Sequence, residues 1–254
     1  MAAPESFIRA RDVHLNVPVR GRRRRAVRGS PLAAVYHAFS RRRERQLSSL
    51  VRGISFDIPE NSRVGLIGQN GAGKTTLLRL LAGALSPSSG ELEVRGTTQN
   101  LLNVSMGMQP AATGMENIML RGFSSGMAAR DIKRLIPEIL AFSELKSVIN
   151  DPVQTYSAGM QLRLAFAVAT SVKPEILLLD EWIGTGDRFF VERSKQRLLD
   201  HIDASKILVF ASHNQEMLSE LCSRGLVLKG GKIVFDSDID EALEFYDSDE
   251  YEAA

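Results

Sequence analysis

The strongest chemical signal in the chain is a nine-residue run. Gly68-Gln69-Asn70-Gly71-Ala72-Gly73-Lys74-Thr75-Thr76 fits the pattern G-x-x-x-x-G-K-[ST]. Its glycines let the backbone wrap tightly enough for successive N–H groups to point at phosphate oxygens, and the helix that follows adds the positive end of its dipole. In such a loop Lys74 meets the β and γ phosphates, while the Thr75 hydroxyl ligates Mg²⁺. A second run, Ile176-Leu177-Leu178-Leu179-Asp180-Glu181, is an apolar strand that delivers carboxylates to its C-terminal end, where open α/β sheets bind ligands. Asp180 would hold Mg²⁺, directly or through water, and Glu181 sits where a general base could polarise an attacking water. Apolar strands ending in Asp-Glu are common; one that follows a phosphate loop by about a hundred residues is far more telling.

Two further groups complete the set. Tyr156-Ser157-Ala158-Gly159-Met160-Gln161 opens a helix with a hydroxyl and small residues, a second anion site that needs nothing from its own phosphate loop. Ser212-His213 follow the apolar run Ile207 to Ala211. The other histidines, His14, His37 and His201, have no such placement and read as structural or solvated.

The elements that must position these residues follow from pattern. Residues 6 to 17 alternate loosely and predict one or two short strands, broken at Pro18. A basic insert over 18–50 comes next, in which Ser30-Pro31 is a helix-start signal. Leu32, Val35, Tyr36 and Phe39 then fall on one helical face, ending in Arg-Arg-Arg-Glu-Arg. Ile54, Phe56 and Ile58 alternate as a strand, and Val64 to Ile67 feeds the glycine loop. Thr75 to Ala82 reads as a helix closed by Gly83. Thr113 to Glu116 is a capping box with a helix beyond it, and a further helix from about Ala128 to Phe142 is interrupted or offset by Pro137. Another helix follows Ser157 to about Ser171. Strands over 176–180, 206–211, 226–229 and 232–236 then alternate with helices over about 188–203, 214–222 and 238–246. This pattern predicts an α/β fold with a mainly parallel sheet, and the helix-only stretch over 113–172 lies in a helical subdomain, spanning 105–172, inserted into it.

Composition narrows the class. With 44% hydrophobic and 24% charged residues the chain is neither disordered nor collagenous. No apolar stretch approaches the roughly 20 residues of a bilayer-spanning helix, and the opening MAAPESFIRA lacks the apolar core of a secretory signal. The lone Cys222 fits a reducing cytosol. A formal charge of +2 conceals ten arginines against one acid from Arg20 to Arg45, and nine acids without a base from Asp236 onward. The first group suits a solvated surface, anionic lipid, nucleic acid or an acidic partner.

The order of phosphate loop, S-x-G element, Asp-Glu strand and Ser212-His213 resembles the ATP-binding subunit of ABC transporters over nearly the whole chain. The resemblance implies a P-loop NTPase core with an N-terminal antiparallel β part, occupying 1–254 as a single ATPase domain and ending in a short acidic tail over 237–254. It implies a homodimer around two ATP molecules, each with Mg²⁺. Ser157, Ala158, Gly159 and Met160 of one subunit would then face the phosphate loop of the other, His213 would contact the γ phosphate, and Asp187 would lie in a loop joining the two sites. Tyr-Ser-Ala-Gly-Met-Gln-Leu-Arg, the segment Thr113 to Gly122 and the insert resemble one branch more closely: the ATPase subunits that power export of lipid-linked O antigen, capsule or teichoic acid. That branch implies an integral-membrane permease as partner and a peripheral place on the cytoplasmic face of the inner membrane, with lipid-linked glycan or anionic lipid at the arginine insert.

Three positions depart from the family pattern. Ala158 stands where a glycine is usual; Val104 stands where a glutamine is expected, with Gln109 the nearest one; and no aromatic residue ends the first strand, leaving Val17, or Tyr36 and Phe39, for the adenine. The main rival is the ATPase subunit of another ABC transporter, a generic importer or drug exporter, from which only the insert and the signature variant separate this chain. A soluble ABC ATPase gripping nucleic acid or ribosomes fits less well, because such proteins usually carry two cassettes or a long coiled coil, and a non-hydrolysing regulatory switch is a third alternative.

Overall fold

The computed structural model describes residues 5–18, 47–101, 108–181 and 188–254. The helix expected at Leu32 to Arg45 with its arginines, Val104 and Asp187 lie outside the described residues.

Two sheets form the frame. In the smaller, β1 (Phe7–Pro18) lies between β2 (Leu47–Ile58) and β4 (Ser89–Arg95), antiparallel to both. In the larger the order is β5 (Thr98–Asn100), β6 (Ile176–Asp180), β7 (Ile207–Ala211), β3 (Ser62–Ile67), β8 (Arg224–Lys229) and β9 (Lys232–Asp238). All its pairings are parallel except β8 with β9. The apolar runs are continuous because both faces of these strands are covered. Along β7, Ile207, Val209 and Ala211 enter the core shared with the small sheet and α1 (Lys74–Leu81), while Leu208 and Phe210 enter the core on the other face. Ile176 and Leu178 of β6 divide from Leu177 and Leu179 in the same way, as a side-chain period of two requires.

The helical part comprises α2 (Gly114–Ser124), α3 (Ala129–Ser143) and α4 (Ala158–Ala169), with its own core around Ile118, Ile132, Ile139 and Leu164. The expected capping box is formed: the Thr113 hydroxyl accepts from the Glu116 N–H at 3.1 Å, and the Glu116 carboxylate accepts from the Thr113 N–H at 2.8 Å. Phe142, Phe166 and the Phe190 ring of α5 (Arg188–Ala204), 5.7 to 5.9 Å apart, join this part to the sheet. The chain closes with α6 (Gln215–Leu221), α7 (Ile239–Asp247) and α8 (Asp249–Ala253).

Three details differ from the sequence expectations. β1 is one strand through Pro18, kept in pairing past register shifts on either side of Val13, with Asp12 at φ 47. β2 begins at Leu47, so the last residues of the span given to the insert pair with Val17 and Pro18. Helix α3 runs through Pro137, which is exposed, so the Lys133 carbonyl it deprives of a partner can bond water.

Candidate functional site

β3 ends at Ile67 and α1 begins at Lys74, so the phosphate loop is the strand-to-helix turn between them. Gly68 has φ 148, and a Cβ there would stand 2.4 Å from the Leu228 carbonyl oxygen of β8. Gly73, the residue before the helix, has φ 115. Both positions therefore require glycine. Gln69, Asn70 and Gly71 form the exposed tip, while Ala72 is buried and receives the Gly231 N–H on its carbonyl at 3.0 Å. The Gly231 carbonyl in turn accepts from the Arg52 N–H at 2.8 Å, so the β8–β9 turn fastens the loop to β2.

Lys74 is buried and turns its ammonium onto the carbonyls of Gly68 and Gln69. Burial pushes its pKa down, and the carboxylates of Glu181 and Asp180 oppose that shift. Thr75 Oγ1 donates to Asp180 Oδ2 at 2.6 Å, so the two expected Mg²⁺ ligands meet. Thr76 is half-buried in the first turn of α1. A hydroxyl and a carboxylate suit a hard cation, and Mg²⁺ usually takes one or two carboxylates with water and phosphate completing its shell. That chemistry agrees with the described residues, among which no three His, Cys, Asp or Glu side chains cluster as a full protein cage.

Glu181 follows β6 at φ 66, a left-handed conformation rarely taken by a residue other than glycine. Its N–H donates to the Ala211 carbonyl at 2.8 Å, and its Oε1 lies 3.7 Å from His213 Nε2. Both side chains are about half exposed, at 50% and 48%. Local strain of this kind concentrates at functional sites. Lys74, Thr75, Asp180, Glu181 and His213 thus converge at the C-terminal ends of β3, β6 and β7. Ser157, Ala158, Gly159 and Met160 stand apart, at the start of α4 in the helical part. Ser157 caps that helix by accepting the Met160 N–H at 3.2 Å, and the buried Tyr156 anchors it through a 2.6 Å bond from its hydroxyl to the Val148 carbonyl. Gln109 is exposed, and its backbone is held by Asn117.

A family model described as "ABC transporter" matches residues 51–184, more than half of the chain. The chain belongs to the ABC transporter family. It is 47% identical over 184 residues to the O-antigen export system ATP-binding protein RfbE of Yersinia enterocolitica, a match covering 72% of this chain and 77% of that one. It is 38% identical over 221 residues to the O-antigen export system ATP-binding protein RfbB of Myxococcus xanthus, covering 85% of this chain but only 51% of that longer protein. A dimeric ATP-binding cassette in a post-hydrolysis state bound to ADP and phosphate shares the fold, at a TM-score of 0.64 and 19% identity over 91% of this chain and 98% of that one.

Sequence reasoning missed part of what surrounds this ABC site. The Gly230-Gly231 turn was legible as a hairpin signal between two strands, though its seat against the loop was not. Tyr251, which meets the loop at Gln69, and Lys229, which holds Tyr251, gave no signal, since the contact from Gln69 to Tyr251 spans 182 residues of chain.

Proposed function

We propose that this chain is the ATP-hydrolysing subunit of an exporter that moves a lipid-linked polysaccharide across the cytoplasmic membrane through a separate permease. The observation that carries the hydrolytic part is the convergence of a phosphate loop, the Thr75–Asp180 pair and the Glu181–His213 pair at one edge of the sheet. The loop N–H groups and Lys74 would bind the triphosphate; Lys74 would leave the two carbonyls it now contacts to do so. Thr75 and Asp180 would hold Mg²⁺, which when bound offsets phosphate charge. Glu181 would orient and deprotonate the attacking water, with His213 beside it toward the γ phosphate.

A homodimer completes the reading. Gly159 is exposed, and a Cβ there would meet only Ser157 Oγ, at 3.9 Å. The chain's own packing therefore does not demand glycine, which supports a role for Ser157, Ala158, Gly159 and Met160 toward the nucleotide of a second copy, with Asp187 between the sites. Among the described residues no helix is long and apolar enough to cross a membrane, in keeping with a peripheral subunit at the cytoplasmic face. The exposed Leu120 and Phe123 of α2, with the exposed Val172 at the rim of a cavity of about 350 Å³ between β5 and the helical part, offer a surface for the permease. The O-antigen export relatives support a polysaccharide cargo, and the arginine insert is assigned to its lipid-linked end or to anionic headgroups.

The test is to tag the N-terminus, solubilise source membranes gently and identify what co-purifies by mass spectrometry. A stoichiometric multi-span permease is expected. Recovery in the soluble fraction with ribosomal proteins or nucleic acid would overturn the reading.

A further inference from the structure

The acidic end of the chain is docked at the ATP site. α7 seats Ile239 and Ala242 on the large sheet, over Gly65 of β3 and Gly225 of β8, where a Cβ on either glycine would come within 3.0 Å of these side chains. The Phe235 and Phe245 rings stack at 4.4 Å, and Phe245 and Tyr246 both pack edge-on against Tyr251. Tyr251 is 2% exposed. Lys229, at the end of β8, places its ammonium 4.9 Å from the centre of the Tyr251 ring and donates to the carbonyls of Tyr251 at 2.5 Å and Glu252 at 2.7 Å. A cation there satisfies the free carbonyls at the end of α8 and the negative end of its dipole.

From this anchorage the segment reaches both loops that flank the reacting phosphate. The Gln69 N–H donates to the Tyr251 hydroxyl at 3.4 Å, and Gln69 Nε2 to Glu252 Oε1 at 3.4 Å. This N–H is therefore not one of those turned toward phosphate. On the other side Gln215, the first residue of α6 and two residues beyond His213, donates through Nε2 to both oxygens of Asp247, at 3.0 and 3.2 Å. The helices thus tie the tip of the phosphate loop to the His213 loop through one aromatic cluster centred on the buried Tyr251.

We propose that α7 and α8 are a brace for the nucleotide site, in which Tyr251 and Lys229 position the phosphate loop and the Asp247–Gln215 pair positions the His213 loop. None of these four residues touches the reacting atoms; they act through Gln69 and His213. The proposal rests on the hydrolytic reading given above and adds to it a division of labour. Loosening the Tyr251 end should weaken nucleotide binding, and loosening the Gln215 end should slow turnover with ATP bound.

The experiment measures the Kd of the full chain for a fluorescent ATP analogue, together with KM and kcat for ATP hydrolysis. Tyr251→Ala, which loses the ring as well as the hydroxyl, and Lys229→Met, which loses the ammonium's bonds to two carbonyls, are expected to raise Kd and KM about tenfold. Tyr251→Phe keeps the ring in its cluster and removes only the hydroxyl that accepts from the Gln69 N–H, the contact through which Tyr251 acts, so it should raise Kd about two- to tenfold. Gln215→Ala and Asp247→Asn, on the surface where folding is not at risk, should lower kcat several-fold and leave Kd unchanged. Variants that lower the melting temperature but keep the parent's Kd, KM and kcat would overturn the brace. A parent protein that neither binds nor hydrolyses ATP would instead overturn the hydrolytic reading, and with it the proposal.

Discussion

Gly68 and Gly71 differ in what surrounds them, and the difference yields a number. At Gly68 an alanine meets two penalties. Its φ of 148 lies in a region open essentially to glycine alone, and its Cβ would stand 2.4 Å from the Leu228 carbonyl oxygen of a buried central strand. The first costs about 1–3 kcal/mol. The second forces loop and strand apart, an overpacking cost of about 1–3 kcal/mol. Gly71 at φ 83 bears only the first kind of penalty, because nothing lies within 4 Å of a Cβ there; a left-handed residue costs about 1–2 kcal/mol. For a chain of this size each kcal/mol moves Tm by roughly 2–4 °C. Gly68→Ala should therefore lower Tm by about 10 °C and Gly71→Ala by about 3 °C, both read by differential scanning fluorimetry without nucleotide, where phosphate contacts cannot contribute. Equal shifts for the two variants would refute the argument that β8 packing, and not backbone strain alone, fixes glycine at Gly68.

Two further outcomes follow from the site and its supports. Asp180→Asn keeps the shape of the group bonded to Thr75 Oγ1 at 2.6 Å but removes its charge; the Mg²⁺ concentration for half-maximal hydrolysis should rise about 10- to 100-fold, and an unchanged Mg²⁺ titration would contradict the assignment. His201 is buried with Nε2 3.0 Å from the Thr170 carbonyl oxygen, and burial holds its pKa below the ordinary 6.5. The unfolded chain therefore binds a proton here that the folded chain refuses. The stability tied to the neutral ring is complete above pH 6.5 and declines as pH falls toward the lowered value. Urea midpoints at pH 7.5 and at pH 5.5, about one unit to either side of the reference histidine pKa, should show the parent losing more than His201→Gln does on acidification; identical losses would remove His201 from the account.

The site was legible in the sequence where chemistry is local. A phosphate loop, a strand ending in Asp180-Glu181 and a helix capped by Ser157 are each written in contiguous residues, and the apolar runs of β6 and β7 announce strands buried on both faces. What escaped was set by long-range packing or by single backbone torsions. The left-handed Glu181 and Asp12 leave no trace in composition. Pro137 reads as a helix breaker because sequence does not reveal that Lys133 and Pro137 lie on the exposed side of α3. The acidic segment after Asp236 read as a tail by its charge, yet Phe245, Tyr246 and Tyr251 within it form an aromatic cluster whose partners, Lys229 and Phe235, lie on the neighbouring strands.

The central claim is that this chain hydrolyses ATP with Glu181 as the base. The measurement that addresses it most directly is the steady-state ATPase rate of Glu181→Gln beside the parent, at saturating Mg²⁺ and ATP. A general base contributes about 10²- to 10⁴-fold, so turnover should fall by that factor while ATP stays bound and the dimer persists by size-exclusion chromatography. A variant that hydrolyses ATP at the parent rate would contradict the assignment.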